Sequence, residues 1–351
     1  MRRFQKYQDL PTTGARAVEH FSINESLFLA FANNEGDIEG HNTDSFIYKL
    51  NTSTGQFSLY QTIDTTGAWD IEYFTIADKH FLAVANRFNE TSNQLNSVIY
   101  RWNGHEFVTL QNIPTNSATS FNFFEILQES FLAVTNSIKN SNSVIYKWKD
   151  NYFEFFQEIG TEEEHASTTF VIKNETFIVF ANLFNPQQGF AAHSNVFKWS
   201  GSSFVKLQSL QTYAAVDVKS FNINGDSFLA FANEHDSVTY SIDSFIYKWN
   251  GGKFVHFQSI PTRGAFKWHP FVMCGQTFLG VANWWENNTK SVIYRYSGEQ
   301  FIQYQEISTQ RGDDLTSFEY NGNTYLVIAN YRNIDDLKFN INSALYKWIK
   351  N

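Results

Sequence analysis

Three aspartates occupy one recurring place in this sequence. Asp70, Asp217 and Asp314 each precede a phenylalanine by four residues, and Asp313 stands beside the last of them. Four equivalent stretches carry Ala17, Ser120, Ala166 and Lys267 there instead. Carboxylates brought together from separate copies would repel and raise one another's pKa unless a cation lay between them. Oxygen donors of this kind suit a hard ion, Ca²⁺ before Mg²⁺ because its cage is looser, so Asp70, Asp217 and Asp314 are the metal candidates. Lys267 could supply the positive charge instead, and aspartates can also simply cap a turn. Paired carboxylates near His165 or His269 could do general acid–base work. The chain has no G-x-S-x-G, H-E-x-x-H, glycine-rich phosphate loop or Cys/His zinc spacing, so an enzyme is the third-ranked reading. Trp69, Phe266, Trp268, Trp284 and Trp285 offer stacking surface and, with Asp313 and His269, form the candidate ligand-binding or partner-binding set. Trp284 and Trp285 follow an apolar run into a loop and are expected to be exposed. Trp69 and Trp268 can equally be packed.

The elements that would hold these residues are written in a repeat. FLAFAN occupies 28–33 and returns at 228–233, with FLAVAN at 81, FLAVTN at 131, FIVFAN at 177, FLGVAN at 278 and YLVIAN at 325. Each copy contains four short stretches rich in Phe, Val, Ile and Tyr, as in FVKLQSLQT, VDVKSFNI, SFLAFAN and SFIYKWNGGK from Phe204 onward. Such stretches suit strands rather than helices. Four strands at a spacing of about fifty residues, seven times over, predict an all-β, seven-bladed β-propeller forming one domain over 1–351. The most continuously apolar stretch, FLAVAN, belongs inside a sheet. The Lys- and Gln-bearing stretch suits the outer edge, where charge discourages pairing with another sheet. The order from the inside outward is then A (D-V-x-S-F-x-I), B (FLAVAN), C (S-x-I-Y-K-W) and D (F-x-x-x-Q-x-I). In this phase the chain starts in a D strand and ends in a C strand. Residues 4–10 must therefore complete the blade made by 315–349.

Polar residues recur in every copy. Gln appears at 8, 61, 111, 157, 208, 258 and 305, and Thr follows four residues later, at 12 and 161 among others. Asn closes each B strand and Ser opens each C strand. A residue needed identically by every blade is needed to build a blade, so Asn and Ser should tie the B–C loop and Gln and Thr the D-to-A crossover. Binding residues belong instead where the copies differ, in the B–C and D-to-A connections that leave one face. NEGDIEGHNTDS, NLFNPQQGFAAHS, EHDSVTYSIDS and WWENNTKS are the variable ones.

Composition narrows the partners. The chain has 351 residues, a formal net charge of −9 and one cysteine, Cys274. That balance opposes nucleic acid and anionic membranes, which attract cationic surfaces. A lone cysteine excludes an internal disulfide. The apolar runs are too short to span a membrane as helices, and MRRFQKYQDL is too polar for a signal peptide. Five N-x-S/T sequons, at Asn24, Asn51, Asn89, Asn174 and Asn287, arise readily by chance in a chain this rich in Asn, Ser and Thr.

The run YQTIDTTGAWDIEYFTIADKHFLAVAN, closed by SVIYRWNGHEF, resembles the epilepsy-associated repeat (EAR, or EPTP) propellers, as in the leucine-rich glioma-inactivated proteins, and the likeness extends along the whole chain. The resemblance implies an extracellular, non-catalytic binding module engaging protein ectodomains through the propeller face. It also implies a calcium site in the channel, carried here only onto Asp70, Asp217 and Asp314. The family's leucine-rich companion domain, flanking cysteines and leader are absent from this sequence. A carbohydrate-binding, lectin-like propeller is the alternative, and an enzyme using channel-mouth carboxylates the second alternative.

Overall fold

A computed structural model describes residues 2–139, 141–160, 163–285 and 289–350. Among these residues there is no helix, and twenty-eight strands form seven four-stranded antiparallel sheets. The fold is that of a seven-bladed β-propeller. In blade 1, strand A is Ala15–Ile23, B Ser26–Asn33, C Ser45–Asn51 and D Gln56–Ile63, paired in that order. Blades 2 to 6 repeat this order, their A strands beginning at Ala68, Ala118, Glu164, Ala215 and Ala265. Blade 7 takes A Gly312–Tyr320, B Asn323–Asn330 and C Asn342–Lys350 from the end of the chain, and D Arg2–Pro11 from its beginning. Strand D pairs with strand C from Arg2↔Lys350 to Pro11↔Asn342, so the predicted closure of this blade is what the chain does.

The chain divides into two compact units: Met1–Ala118 with Glu286–Ile293 and Tyr304–Asn351, and Thr119–Trp285 with Tyr294–Gln303. In each unit the core lies between successive sheets. One cluster in the first unit joins Leu10, Val327 and Leu345 of blade 7 to Val18, Leu29 and Phe31 of blade 1. A second continues from Phe28 and Ile47 to Ile71 and Leu82 of blade 2. In the second unit, Val179 and Val196 of blade 4 meet Val218 and Phe231 of blade 5. A blade is thin, so each B strand is apolar on both faces: Phe28 to Ala32 are essentially inaccessible. Burying each Phe or Leu contributes about 1.5–3 kcal/mol. In every blade the strand A aromatic stacks on the strand B aromatic, as Phe21 on Phe28 at 5.4 Å and Phe318 on Tyr325 at 5.2 Å.

The recurrent polar residues build the frame. Asn33 Nδ2 donates to Asp44 O, its N–H donates to Ser45 Oγ, and its Oδ1 accepts from Thr13 N–H. Ser45 Oγ meets Thr65 Oγ1, which donates to Thr43 O. These side chains satisfy loop backbone that has no ladder partner. Thr161 lies outside the described residues. The glutamines work elsewhere than the crossover. Gln61 Nε2 donates to Phe107 O and its Oε1 accepts from Phe107 N–H, so one amide clasps the D strand of the next blade at two points. Gln8, Gln157, Gln208, Gln258 and Gln305 repeat the clasp. The outer strand has a free edge beside a neighbouring edge, and a primary amide matches both the C=O and the N–H of that edge.

Candidate binding face

Every strand A begins with the same device. The residue before it is left-handed: Gly14, Gly67, Ser117, Glu163, Ala214, Gly264 and Arg311 all have positive φ. In blades 1, 2, 3, 5 and 6 its N–H reaches into the B–C loop of the preceding blade, as from Gly67 to His41 O (2.6 Å) and from Gly264 to Tyr240 O (2.7 Å). The approach is close. A Cβ on Gly67 would lie 2.0 Å from Phe88 O and one on Gly14 2.5 Å from Glu35 O, which excludes a side chain at either position. Two residues further on, the A–B ladder slips. Arg16, Trp69, His165, Val216, Phe266 and Asp313 are bypassed in the pairing of blades 1, 2, 4, 5, 6 and 7. A bulge leaves its extra residue unpaired and re-aims the side chain. The frame is thus uniform, and the residue it turns aside differs in each of these blades.

In the first unit three bulge residues meet. Arg16 Nη1 lies 2.5 Å from Asp313 Oδ2, and its guanidinium carbon is 3.3 Å from the centroid of Tyr331 and 4.2 Å from that of Trp69. Arg87 lies 3.8 Å from the Trp69 ring, so cations and rings alternate. Tyr331 donates to Glu35 Oε2 at 3.0 Å. Asp313 is wholly buried and its Oδ1 has no hydrogen-bond partner among the described residues. Burial pushes the Asp313 carboxyl up to about 6, against the pull of Arg16 and Arg311. Burial also works against the Arg16 charge, but Tyr331 and Asp313 outweigh it, leaving that pKa raised. Burial and the neighbouring Arg332 depress Arg311.

The second unit carries rings instead. His165 Nδ1 donates to Val216 O at 2.9 Å, and its ring meets Phe266 edge-on at 5.9 Å. From Phe266 the contacts run to Trp284 (6.3 Å), on to Tyr240 (5.8 Å), and from Tyr240 to Trp285, stacked flat at 3.6 Å. His235 and Phe190 extend the series. Trp284 and Trp285 are therefore half-buried in an aromatic cluster, not the exposed tips their place in a loop predicts. The loop after them is described again only from Thr289, so Asn287 lies outside the described residues. Flexible loop residues with rings of their own fold back because stacking removes more apolar surface than solvent exposure leaves.

The aspartates one residue past the bulge have a structural task. Asp217 Oδ2 accepts the Trp268 N–H at 2.8 Å, and Asp314 Oδ2 accepts the Val18 N–H at 3.0 Å, each joining strand A to strand A of the next blade. Asp70 is buried at the matching place of blade 2. Among the described residues no three His, Cys, Asp or Glu side chains stand close enough to hold a metal ion. Asp217 Oδ2 and both oxygens of Asp314 already accept backbone N–H groups. Trp268 is fully buried with its ring 6.2 Å from Tyr294, while Lys267 is buried and His269 half-buried against Phe271. Of the candidate ligand residues, Trp69, Asp313 and Phe266 are brought to bulges. Arg16, Arg87, Tyr331 and Tyr240 went unnoticed. The signal for Arg16 is the column one residue before the aspartates, the most varied column of strand A, while Arg87, Tyr331 and Tyr240 lie after B strands, in the B–C connections.

Aliphatic side chains reach solvent at this end of the blades. Ile38, in the B–C loop of blade 1, is 90% exposed, and Leu337, in that of blade 7, is 56% exposed. The two loops are tied together: Phe339 N–H donates to Asp37 Oδ1 at 2.7 Å, and Asp37 N–H to Asn340 Oδ1 at 3.4 Å. Glu39, Asp335 and Asp336 are exposed alongside them. In blade 5 the corresponding loop carries Val238, 89% exposed.

An invariant sheet frame with variation confined to bulges and loops defines a repeat-built β-propeller. Six segments, 3–51, 56–103, 106–149, 203–250, 253–297 and 300–349, match the model of the EPTP domain and together take up more than half of the chain. This chain belongs to the EPTP family. The stretch between 149 and 203, which supplies strands A to C of blade 4, lies outside those matches. Over 101 residues the chain is 45% identical to the mouse (Mus musculus) thrombospondin-type laminin G domain and EAR repeat-containing protein, covering 28% of this chain and 15% of that protein. Against the human (Homo sapiens) protein of the same name it is 46% identical over 99 residues, covering 28% and 14%. The aligned part is thus a small fraction of either relative. No helix is long and apolar enough to cross a membrane among the described residues.

Proposed function

We propose that this propeller is a non-catalytic, extracellular protein-binding module that docks ectodomains through the B–C loops of blades 7 and 1. The carrying observation is the pair of exposed aliphatic tips, Ile38 and Leu337, on loops fastened by Asp37. Aliphatic side chains held out into water on ordered loops gain free energy only when something covers them. Loops already tied lose little entropy on docking. Around these tips Lys338 pairs with Asp336 at 3.3 Å, and the remaining carboxylates of Asp37, Glu39 and Asp335 favour a partner whose surface is cationic about an apolar centre. Family membership and the relatives' laminin G and EAR composition support the extracellular, protein-binding reading. Nothing in it requires a metal or a reaction.

The test is binding of labelled protein to an array of cell-surface and secreted ectodomains. Wild type is expected to capture at least one, and Ile38→Asp with Leu337→Asp to weaken that capture by tenfold or more, roughly 1.4 kcal/mol or above. Leu127→Asp, exposed in an A–B hairpin, serves as the control and should bind as wild type does. Retention of full binding by the double variant refutes the docking site. Capture of glycans and no ectodomain would favour the carbohydrate reading instead.

A further inference from the structure

Blade 4 holds a cleft of about 450 Å³ between its B–C loop and its C and D strands, in the stretch that departs from the family pattern. We propose that this cleft binds a sugar bearing one carboxylate, a uronic or sialic acid unit of a glycan.

Its walls are side-chain amides, and their orientation is fixed. Asn185 Oδ1 accepts the N–H groups of Gln187 and Gln188, which pins the loop. Gln188 Oε1 accepts the His193 N–H, so its Nε2, 2.7 Å from His193 Nδ1, must be the donor there. The imidazole therefore keeps its own proton on Nε2. Ser209 donates to Asn195 Oδ1, leaving the Asn195 NH₂ as a donor. At the base, Asn182 is 3% exposed and its Oδ1 has no hydrogen-bond partner among the described residues. In five other blades the equivalent oxygen accepts a backbone N–H of the crossover. The residue at the donor's place for Asn182 is Glu162, outside the described residues.

The one Lys or Arg side chain lining the cleft is the exposed Lys206. One ammonium matches one carboxylate, and dense short-range donors and acceptors match adjacent hydroxyl groups. No apolar or aromatic residue is among those lining the cleft. The volume accommodates one or two sugar rings. The cleft shares no residue with the loop tips at Ile38 and Leu337.

The experiment titrates ¹⁵N-labelled full chain with methyl β-D-glucuronide, the methyl glycoside of N-acetylneuraminic acid, and methyl β-D-glucoside, following side-chain amide signals. At least one of the two acidic sugars should saturate and shift the Asn195 amide, about tenfold more tightly than the neutral sugar. Lys206→Gln should abolish that preference, and Asn195→Ala should weaken both classes. Both positions are accessible, and unchanged melting curves will verify folding. No saturable binding of either acidic sugar, equal affinity for acidic and neutral sugars in wild type, or indifference to both substitutions would overturn the site.

Discussion

At the scale of residues, Arg16 and Asp313 pose the sharpest electrostatic question. Asp313 is buried with one oxygen on Arg16 and the other without a partner among the described residues, a setting in which desolvation and ion pairing oppose each other. Its carboxyl is raised from 3.8 to about 6. The folded chain then holds this proton more tightly than the unfolded chain does. The group's contribution to stability is fully present below about pH 3.8 and is lost as pH rises through about 6. Asp313→Asn removes the titration. The wild-type melting temperature minus that of Asp313→Asn should therefore become less positive, or more negative, between pH 4 and pH 6.5. A flat difference across that window would show that the ion pair dominates and keeps Asp313 ionised. Trp69 fluorescence should report the same transition, since Arg16 lies over its ring.

At the scale of elements, two regularities carry the design. One is the slipped A–B ladder, which turns one side chain aside in each blade where it is seen. The other is the glutamine clasp between outer strands. Gln61→Ala removes two hydrogen bonds and leaves the Phe107 N–H and C=O without those partners. The loss should be about 1–3 kcal/mol by chemical denaturation, with faster amide exchange at Phe107. A Gln61→Ala protein as stable as wild type would show that water replaces the clasp. Strand boundaries, order and the Asn, Ser and Thr loop ties were legible because each depends on neighbours within one blade. The clasp was not. An amide facing a crossover and an amide facing the next blade read the same along the chain, and Gln61 reaches 46 residues ahead. Trp284 and Trp285 failed for the same reason: their burial depends on Tyr240, a residue of another blade's loop.

At the scale of the whole molecule, blade 7 is completed by the two ends of the chain. Removing residues 1–12 strips its D strand, including buried Phe4 and Leu10 and the Phe4–Trp348 ring contact at 5.0 Å. Strand C of that blade would become an open edge. A fall in melting temperature on the order of 10 °C is expected, and an unchanged melt would count against the closure. The sequence by itself determined the strand count, the order within a blade, the joining of the ends and the family. These follow from period and polarity, which are properties of a line of residues. Only the tertiary structure decided which side chains the bulges turn aside, that Asp217 and Asp314 grip neighbouring strands, that the exposed tips are Ile38 and Leu337, and that blade 4 holds an amide-lined cleft. Those outcomes depend on which surfaces meet between blades, and the free energy of covering or hydrogen bonding a group is set by neighbours far away in the chain.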